Sequence, residues 1–163
     1  MNINCLRFIF IVLLASVFSI QCSVAQVFMD GTVGAMGRIR GPNYDIMAKY
    51  GHLAGTNLFH SFSEFSVNTG ETANFGVPPS VENIISRVTG GSASRIDGTL
   101  RSTLSGTSDI SGANLYLLNP SGVMFGPNAS LDIGGSFHAT TADYLRMGEN
   151  ERFYAVQYNE VLS

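Results

Sequence analysis

Apolar and polar residues alternate over short stretches of this chain, and turn residues separate one stretch from the next. The clearest run covers residues 114–137, which Asn-Pro-Ser-Gly, Gly-Pro-Asn and Gly-Gly divide into short pieces. Prolines and glycines at this density exclude an α-helix, and alternation with a period of two is typical of β-strands. Because the strands are short and the turns frequent, the pattern favours a coiled β-solenoid over a flat sheet.

The same alternation predicts the strands and the side chains that face the core. Strands are expected at 39–46 (strand, turn, strand), 83–88, 95–100, 114–118, 123–125, 130–133 and 136–140, with a polar loop at 102–112. The predicted inward side chains of the later strands are Leu115, Leu117, Val123, Phe125, Leu131, Ile133, Phe137 and Ala139, and the outward ones are Tyr116, Leu118, Met124, Asp132 and His138. Apolar strands such as those of Ile96 and Leu115 recur after roughly 20 residues, the order of one solenoid coil.

The aromatic segment before residue 68 has a different spacing. Leu58, Phe62 and Phe65 lie four and three residues apart, which is closer to a helical turn than to strand alternation. We therefore expect a short helical or irregular piece that leads into a strand at 65–67. Aromatic residues this dense are more typical of a core than of a recognition surface, and we expect this of Phe59, Phe62, Phe65 and Phe75.

The first 25 residues read as a signal peptide. Arg7 gives a weakly positive start, Phe8 to Ile20 is an apolar region, and Ser23-Val24-Ala25 places small residues at a cleavage site. The apolar region is shorter than the roughly 20 residues that span a bilayer. Residues 26–163 are then the exported domain. No capping element is visible over 144–163, so we expect this domain to be incomplete at its C-terminus.

Composition and charge narrow the class of protein. Both cysteines, Cys5 and Cys22, leave with the signal peptide, so no disulfide stabilises the exported domain. The whole chain has a formal net charge of −3, and the loss of Arg7 makes it more negative by one. No basic patch is present, which argues against nucleic acid as a partner.

No catalytic or metal-binding constellation emerges from the sequence. His60 and Glu64 lie four residues apart, but no further ligand accompanies them, so we expect no metal and no cofactor. Serines are many, yet no Gly-x-Ser-x-Gly elbow is present. A carboxylate site like that of β-helical polysaccharide lyases is conceivable from four acids, although solvated surface positions are the better interpretation: Asp97, Asp109, Asp132 and Asp143. We therefore expect a protein that is not an enzyme.

Four separated segments resemble the N-terminal secretion domain of filamentous haemagglutinin-like exoproteins, the passengers of two-partner secretion (TPS). They are Asn-Leu-Phe-His-Ser-Phe-Ser-Glu-Phe at 57–65, Asn-Ile-Ile-Ser-Arg-Val-Thr-Gly-Gly at 83–91, Ile-Asp-Gly-Thr-Leu at 96–100 and the whole of 113–141. The resemblance implies an all-β fold, a right-handed parallel β-helix with an N-terminal β cap. It also implies export through the periplasm of a Gram-negative cell to the cell surface or the medium. The partner that it implies is an outer-membrane β-barrel transporter, whose periplasmic domains recognise the secretion domain.

The resemblance also singles out a motif. Asn119, Pro120, Ser121, Gly122 and Val123 match the family's Asn-Pro-Asn-Gly-Ile type sequence, with Ser and Val as departures. One interpretation is a recognition feature for the transporter; the other is a tight corner that sets the register of two strands. A second family motif, Asn-Pro-Asn-Leu, is not found, and the nearest region, 78–83, departs from it.

The leading hypothesis is therefore a secretion and recognition domain at the start of a surface adhesin or haemagglutinin, with any host-cell or glycan ligand bound by downstream regions. The alternatives are a stand-alone structural surface protein and a β-helical carbohydrate-active enzyme. Activity on polyuronides would distinguish the last of these.

Overall fold

The computed structural model describes residues 27–149 and 151–156, so the predicted signal peptide at 1–25 lies outside the described residues. Within this part of the chain the elements are β-strands and one short 3-10 turn at Ala48–Tyr50, and no helix is long and apolar enough to cross a membrane. The strands are β1 (Val27–Asp30), β2 (Met36–Ile39), β3 (Asn43–Met47), β4 (His52–Ala54), β5 (Asn57–Phe65), β6 (Thr72–Val77), β7 (Asn83–Val88), β8 (Ser94–Ile96), β9 (Thr99–Leu104), β10 (Asn114–Leu118), β11 (Val123–Phe125), β12 (Ser130–Asp132), β13 (Phe137–Thr140), β14 (Tyr144–Arg146) and β15 (Arg152–Tyr154).

Parallel strands stack on three faces and make the chain a β-solenoid of about three turns. The first face holds β5, β7, β10 and β13 in parallel register, and the second holds β3, β6, β9 and β12. The third face is narrow, with β8 and β11, and a parallel bridge joins Val67 to Ile96. The predicted all-β class and parallel solenoid are confirmed.

A ladder of asparagines marks the register of the coils. Asn57, Asn83 and Asn114 are equivalent positions, separated by 26 and 31 residues. Each amide donates to the previous one, from Asn83 Nδ2 to Asn57 Oδ1 at 2.9 Å and from Asn114 Nδ2 to Asn83 Oδ1 at 3.0 Å. The predicted repeat of about 20 residues is too short for these coils, because loops of unequal length separate the strands. It agrees with the next step, in which Leu115 pairs with Phe137, 22 residues further on. Ile96 is equivalent to Phe125 on another face, not to Leu115.

Antiparallel strands close the N-terminal end of the solenoid, as the resemblance implied. β1 runs antiparallel to β5 and also pairs with β2, while β4 pairs antiparallel with the start of β5. Because β1 opposes the direction of β5, the parallel stacking ends there. Val27 and Met29 of β1 are buried in the core, so the cap is packed onto the first coil as well as hydrogen-bonded to it.

The aromatic segment is one nine-residue strand, and the expected helical piece was wrong. Leu58 and Phe62 face the interior with strand periodicity. At Phe62 the pairing with β1 shifts: Phe28 opposes Glu64 while Met29 opposes Phe62, which leaves Ser63 as an extra residue. This β-bulge changes the inward spacing from two residues to three, and so Phe62 and Phe65 mimic a helical turn.

A corner divides the strand predicted at 95–100. β8 ends at Ile96 and β9 begins at Thr99, and Asp97-Gly98 turns the chain between two faces. A side chain at Gly98 would collide with the backbone oxygens of Asn68 and Glu71 in the coil before it, so the close approach of the coils requires glycine. β9 continues to Leu104, which shortens the predicted polar loop at 102–112 to the residues after it.

The interior of the first two coils is sealed, whereas the last coil is partly open. Leu115 and Leu117 are buried in the interior, and Tyr116 and Leu118 pack on the outer side, as predicted. Val123, Ile133 and Phe137 pack partly against the core. Phe125, Leu131 and Ala139 are in register with the buried residues Ile96, Leu100 and Leu117, which agrees with their predicted inward direction. They are nevertheless exposed, because no further described coil stacks on β11, β12 and β13.

A C-terminal hairpin, which the sequence analysis missed, covers the outer side of the first face. β14 and β15 pair antiparallel. Leu145, Phe153 and Ala155 pack with Ile85 and Leu118. The ring of Phe153 also lies 4.9 Å from that of Phe59, so Phe59 belongs to this outer cluster while Phe62, Phe65 and Phe75 are interior core.

Candidate functional site

The motif at 119–123 forms the corner between the first and third faces in the last full coil. β10 ends at Leu118, and Asn119 turns its side chain inward, where only 1% of its surface is exposed. Its Nδ2 donates to the carbonyl of Ser92 and to Oγ of Ser94, each at 3.0 Å. Its Oδ1 accepts the backbone N–H of Ser121 at 2.9 Å. One amide therefore fixes its own turn and ties it to the corner of the coil before.

The rest of the motif shapes the turn. Gly122 has a φ of +118°, a conformation that favours glycine, and its N–H donates to the carbonyl of Asn119 at 2.9 Å. The carbonyl of Gly122 then accepts the N–H of Ser94 at 2.9 Å, which starts the pairing of β11 with β8. Val123, the first residue of β11, packs partly against the core. These contacts make residues 119–123 a tight corner that sets the register of β11 against β8.

Exposure differs sharply between the members of this corner. Ser121 is exposed, Pro120 and Gly122 are partly buried, and Asn119 is buried. A partner that approached the folded domain would therefore contact Ser121 and the edge of Pro120. The polar atoms of the Asn119 side chain are already used within the protein.

A polar network on the outer side of the first face joins the cap to the coils. The carboxylate of Asp30 in β1 accepts hydrogen bonds from the hydroxyls of Ser61 at 2.6 Å, Thr32 at 2.7 Å and Thr89 at 2.7 Å. Arg87 donates from Nε to Ser61 Oγ and from Nη2 to Thr32 Oγ1, both at 2.8 Å. The hydroxyls thus bridge an acid and a base that belong to different elements.

Arg87 also holds the C-terminal hairpin. Its Nη1 donates to the carbonyl of Tyr154, and its guanidinium lies 4.5 Å from the centre of the Phe153 ring. Burial lowers the pKa of Arg87, and the nearby Asp30 partly offsets this. Burial raises the pKa of Asp30, but hydrogen bonds from Ser61, Thr32 and Thr89 outweigh it and leave that pKa below its ordinary value. Both groups are therefore charged near neutral pH.

At a second polar corner, three turns from successive coils lie on top of one another and are joined by hydrogen bonds. Thr69 of the first coil donates its hydroxyl to Asp97 of the second, and the N–H of Asn128 of the third donates to the same carboxylate at 2.9 Å. These hydrogen bonds lower the pKa of Asp97. The first of these turns carries Glu71, which accepts the hydroxyl of Tyr44 at 3.2 Å; burial and this carboxylate raise the pKa of Tyr44 to about 12.

The other candidate residues are placed apart from any reactive cluster. His60 is buried between the rings of Phe62 and Phe75, with Nε2 3.4 Å from the carbonyl of Met47. Asp132 lies 3.0 Å from Arg101 Nε, close enough for an ion pair though not aligned as a hydrogen bond. Over residues 27–149 and 151–156, no three His, Cys, Asp or Glu side chains come together in a way that could hold a metal ion.

The connection between Asp30, Thr32 and Arg87 was not predicted from the sequence. Arg87 and Thr89 lie within the family-like segment at 83–91, where their alternation with buried Ile84 and Val88 marked them as outward. Their partner Asp30 is 57 and 59 residues away, so alternation alone could not show the connection. The one local signal is an arginine on the outward side of a strand that is otherwise uncharged.

The fold and its corners define a capped parallel β-solenoid whose coils are joined by specific polar turns. The family model described as TPS secretion domain matches residues 25–162. The chain therefore belongs to the TPS secretion domain family, found in secreted or cell-surface exoproteins of two-partner secretion. The resemblance stated from the sequence is confirmed.

A curated relative is similar over part of the chain. The heme/hemopexin-binding protein of Haemophilus influenzae is 36% identical over 86 residues, which cover 53% of this chain and 8% of that protein. The match thus spans a small part of the relative's length. No solved structure matches the chain significantly.

Proposed function

We propose that this domain is the part of a longer exoprotein that a cognate outer-membrane transporter recognises for export, through the periplasmic domains of its β-barrel. The family match over residues 25–162 is the observation that carries the proposal. In this function the domain is a binding module and not an enzyme. Two of the acids considered for catalysis support this, since Asp97 joins the turns of three coils and Asp132 pairs with Arg101.

The burial of Asn119 bears on when recognition takes place. In the folded domain its amide is hidden and its polar atoms bond to Ser92, Ser94 and Ser121. A transporter can therefore contact this side chain only before the corner forms. We infer that the exported chain reaches the transporter unfolded, and that an extended segment adds a strand to the edge of a periplasmic sheet.

Folding outside the cell then removes the segment from the transporter. Each coil pairs with its neighbour through parallel strands, and the asparagine ladder and the Asn119 corner form only when two coils are stacked. Folding can therefore proceed coil on coil from the capped N-terminal end. Because the folded corner buries Asn119, return to the transporter becomes unfavourable.

Secretion of residues 1–163 tests the proposal. The chain is expressed in a Gram-negative host with and without a cognate outer-membrane transporter, and its amounts in medium and periplasm are measured. Export that depends on the transporter is the expected result. Retention in the periplasm in both strains, repeated with the full-length reading frame, would contradict it.

A matched pair of variants separates recognition from corner stability. Asn119→Ala removes the motif amide, whereas Ser94→Ala removes one of its partners and leaves the motif unchanged. We expect Ser94→Ala, which loses one of these hydrogen bonds, to destabilise the folded domain by about 1–2 kcal/mol, and Asn119→Ala, which loses all three, by more. We also expect Asn119→Ala to reduce secretion by far more than this difference in stability explains. Equal losses of secretion would assign the motif to folding alone.

The variant Ser121→Ala tests whether the transporter contacts the surface of the folded corner. Ser121 is the exposed member of the corner, and it contributes its backbone N–H, not its side chain, to the bond with Asn119. If recognition precedes folding and depends on Asn119, Ser121→Ala leaves export near the unmodified level. A strong loss of export with unchanged stability would instead indicate contact with the folded corner.

The longer exoprotein is proposed to act at the cell surface as an adhesin or haemagglutinin. The name of the relative in Haemophilus influenzae supports a second candidate, binding of heme or hemopexin, which we assign to regions outside this domain because the match covers 8% of that protein. Retention of the full-length secreted protein, but not of residues 1–163, on immobilised heme or hemopexin is expected for this candidate. Cell adhesion without such retention would favour the first.

A further inference from the structure

The interior of the solenoid carries a group of polar side chains at one level. His60 of β5 is in register with Ser86 of β7, and Phe75 of β6 is in register with Ser102 of β9. All four are buried. His60 and Phe75 belong to the first coil and the two serines to the second, so two large rings are stacked on two small hydroxyl side chains.

The two serines lie on the first and second faces of the second coil, and both are buried. The rings of His60 and Phe75 meet in the coil before, with centroids 5.8 Å apart, although they come from opposite faces. Ser86 and Ser102 occupy the positions directly beneath these rings in the next coil. A serine side chain is much shorter than that of histidine or phenylalanine, so Ser86 and Ser102 fill less of the interior than the two rings of the coil before.

Several polar atoms in this region have no protein partner. Among the described residues, Nδ1 of His60 and Oγ of Ser86, Ser102 and Ser111 are buried and make no hydrogen bond. Ser111 is next to Ser102, since its N–H donates to the Ser102 carbonyl at 3.0 Å. Buried polar groups are almost always hydrogen-bonded to protein or to ordered water, so these atoms call for a partner that the protein itself does not supply.

We propose that the interior binds at least one ordered water molecule between Ser86 and Ser102, with Nδ1 of His60 as a hydrogen-bond acceptor. A water needs two to four polar partners, and these side chains supply that number. With Nε2 directed at the Met47 carbonyl as a donor, Nδ1 is left as the acceptor. Neutral water fits better than an ion, because the hydroxyls and a neutral imidazole provide no opposite charge for a buried one.

Alanine substitutions test the proposal by the sign of their effect. If Ser86 and Ser102 bind water, Ser86→Ala and Ser102→Ala each lower the equilibrium constant for folding by roughly five- to tenfold, measured by urea denaturation. If the hydroxyls are unpaired, alanine raises that constant instead, because it removes a buried group without a partner. Ser94→Ala, which loses the bond to Asn119, provides the scale for a serine with a protein partner.

The double variant shows whether the two serines share one partner. A water that bridges both is lost once, so Ser86→Ala/Ser102→Ala costs less than the sum of the single effects. Additive losses would overturn the shared site, and a gain in stability from either single substitution would overturn water binding at that serine.

Magnetic relaxation dispersion of water nuclei gives a direct measurement. This experiment counts water molecules that remain inside the protein for longer than its tumbling time. The unmodified domain is expected to hold at least one more such water than the double variant. Equal counts for the two proteins would refute the proposal regardless of the stability data.

Discussion

The first two coils and the last coil share the same alternation of inward apolar residues but differ in how much of their apolar surface is covered. Leu58, Phe62 and Phe75 of the first coil are fully buried, because the cap covers one side and the second coil the other. In the last coil Phe125 is 48% and Leu131 51% exposed, although both alternate as inward residues. A side chain in a solenoid is therefore buried by its neighbouring coils as much as by its own, and inward direction alone does not make a core.

The largest expected effect on the free energy of unfolding comes from removing one aromatic ring in each of the two regions. Phe75→Ala leaves a cavity among interior rings and should lower the free energy of unfolding by about 3–5 kcal/mol. Phe125→Ala removes a half-exposed ring whose centre lies 6.0 Å from that of Phe137, and should cost less than about 1.5 kcal/mol. Urea denaturation followed by circular dichroism measures both.

Equal losses for the two substitutions would break the comparison. Such a result would mean that Phe125 is covered in solution, for example by a second copy of the chain on the free strands. Repeating the Phe125→Ala measurement over a range of protein concentrations distinguishes these cases, because a contact between copies makes stability depend on concentration.

The alternation of residues accounts for what could be predicted from the sequence. Strands 114–118 and 123–125 have the predicted bounds, because short turns at Pro120 and Gly126 separate them unambiguously. The strand at 57–65 was missed because a bulge at Ser63 altered its period. The register of the coils also depends on contacts between distant residues, such as Asn57 with Asn83, which a local pattern does not contain.

Only the local part of the candidate site could be predicted, because contacts between distant residues leave no local pattern in the sequence. The turn chemistry of 119–123 is local, and so its residue types indicated a corner before the structure was known. The Arg87 network is assembled from the cap, two coils and the hairpin. No sequence spacing relates those four pieces, since only the fold brings them together.

The next largest effect concerns the pH dependence of the sealed coils. Burial lowers the pKa of His60 from 6.5 to about 4, so the unfolded chain binds a proton that the folded one rejects. Stability is therefore complete above pH 6.5 and falls as the pH drops toward 4, by roughly 3 kcal/mol over that window. Urea denaturation at a series of pH values measures the loss.

Two substitutions isolate this effect. His60→Leu should abolish most of the slope between pH 6.5 and 4, whereas His138→Leu on the exposed last coil should leave it unchanged. Loss from Asp30, whose pKa lies below its ordinary value, begins only at lower pH. An unchanged slope in His60→Leu would show that another group is responsible.

A smaller effect is expected where the cap, the coils and the hairpin are joined. Arg87→Gln leaves the hydroxyl-bound Asp30 without its base and weakens the contact with Tyr154, at a cost of about 2 kcal/mol after allowance for partial exposure. Arg146→Gln is the control, because this exposed arginine bonds to Gly148 and Glu149 within its own hairpin loop. Thermal unfolding checks both; equal shifts in Tm would mean that the network adds nothing beyond surface charge.

The smallest contrast compares two polar contacts between successive coils. Asn83→Ala breaks both bonds of the asparagine ladder at its middle and should cost about 1–2 kcal/mol. Asp132→Asn removes the ion pair with Arg101. The Arg101 side chain is 35% exposed and that of Asp132 is 47% exposed, so the loss should cost less than about 0.5 kcal/mol.

Added salt sharpens this last comparison. Screening weakens an exposed ion pair, so the effect of Asp132→Asn should shrink at 1 M salt, a concentration at which the Debye length is about 3 Å. The effect of Asn83→Ala should persist, because neutral amides between stacked coils are not screened. A larger cost for Asp132→Asn than for Asn83→Ala would mean that charge, and not the stacking of one coil on another, holds the last coil in register.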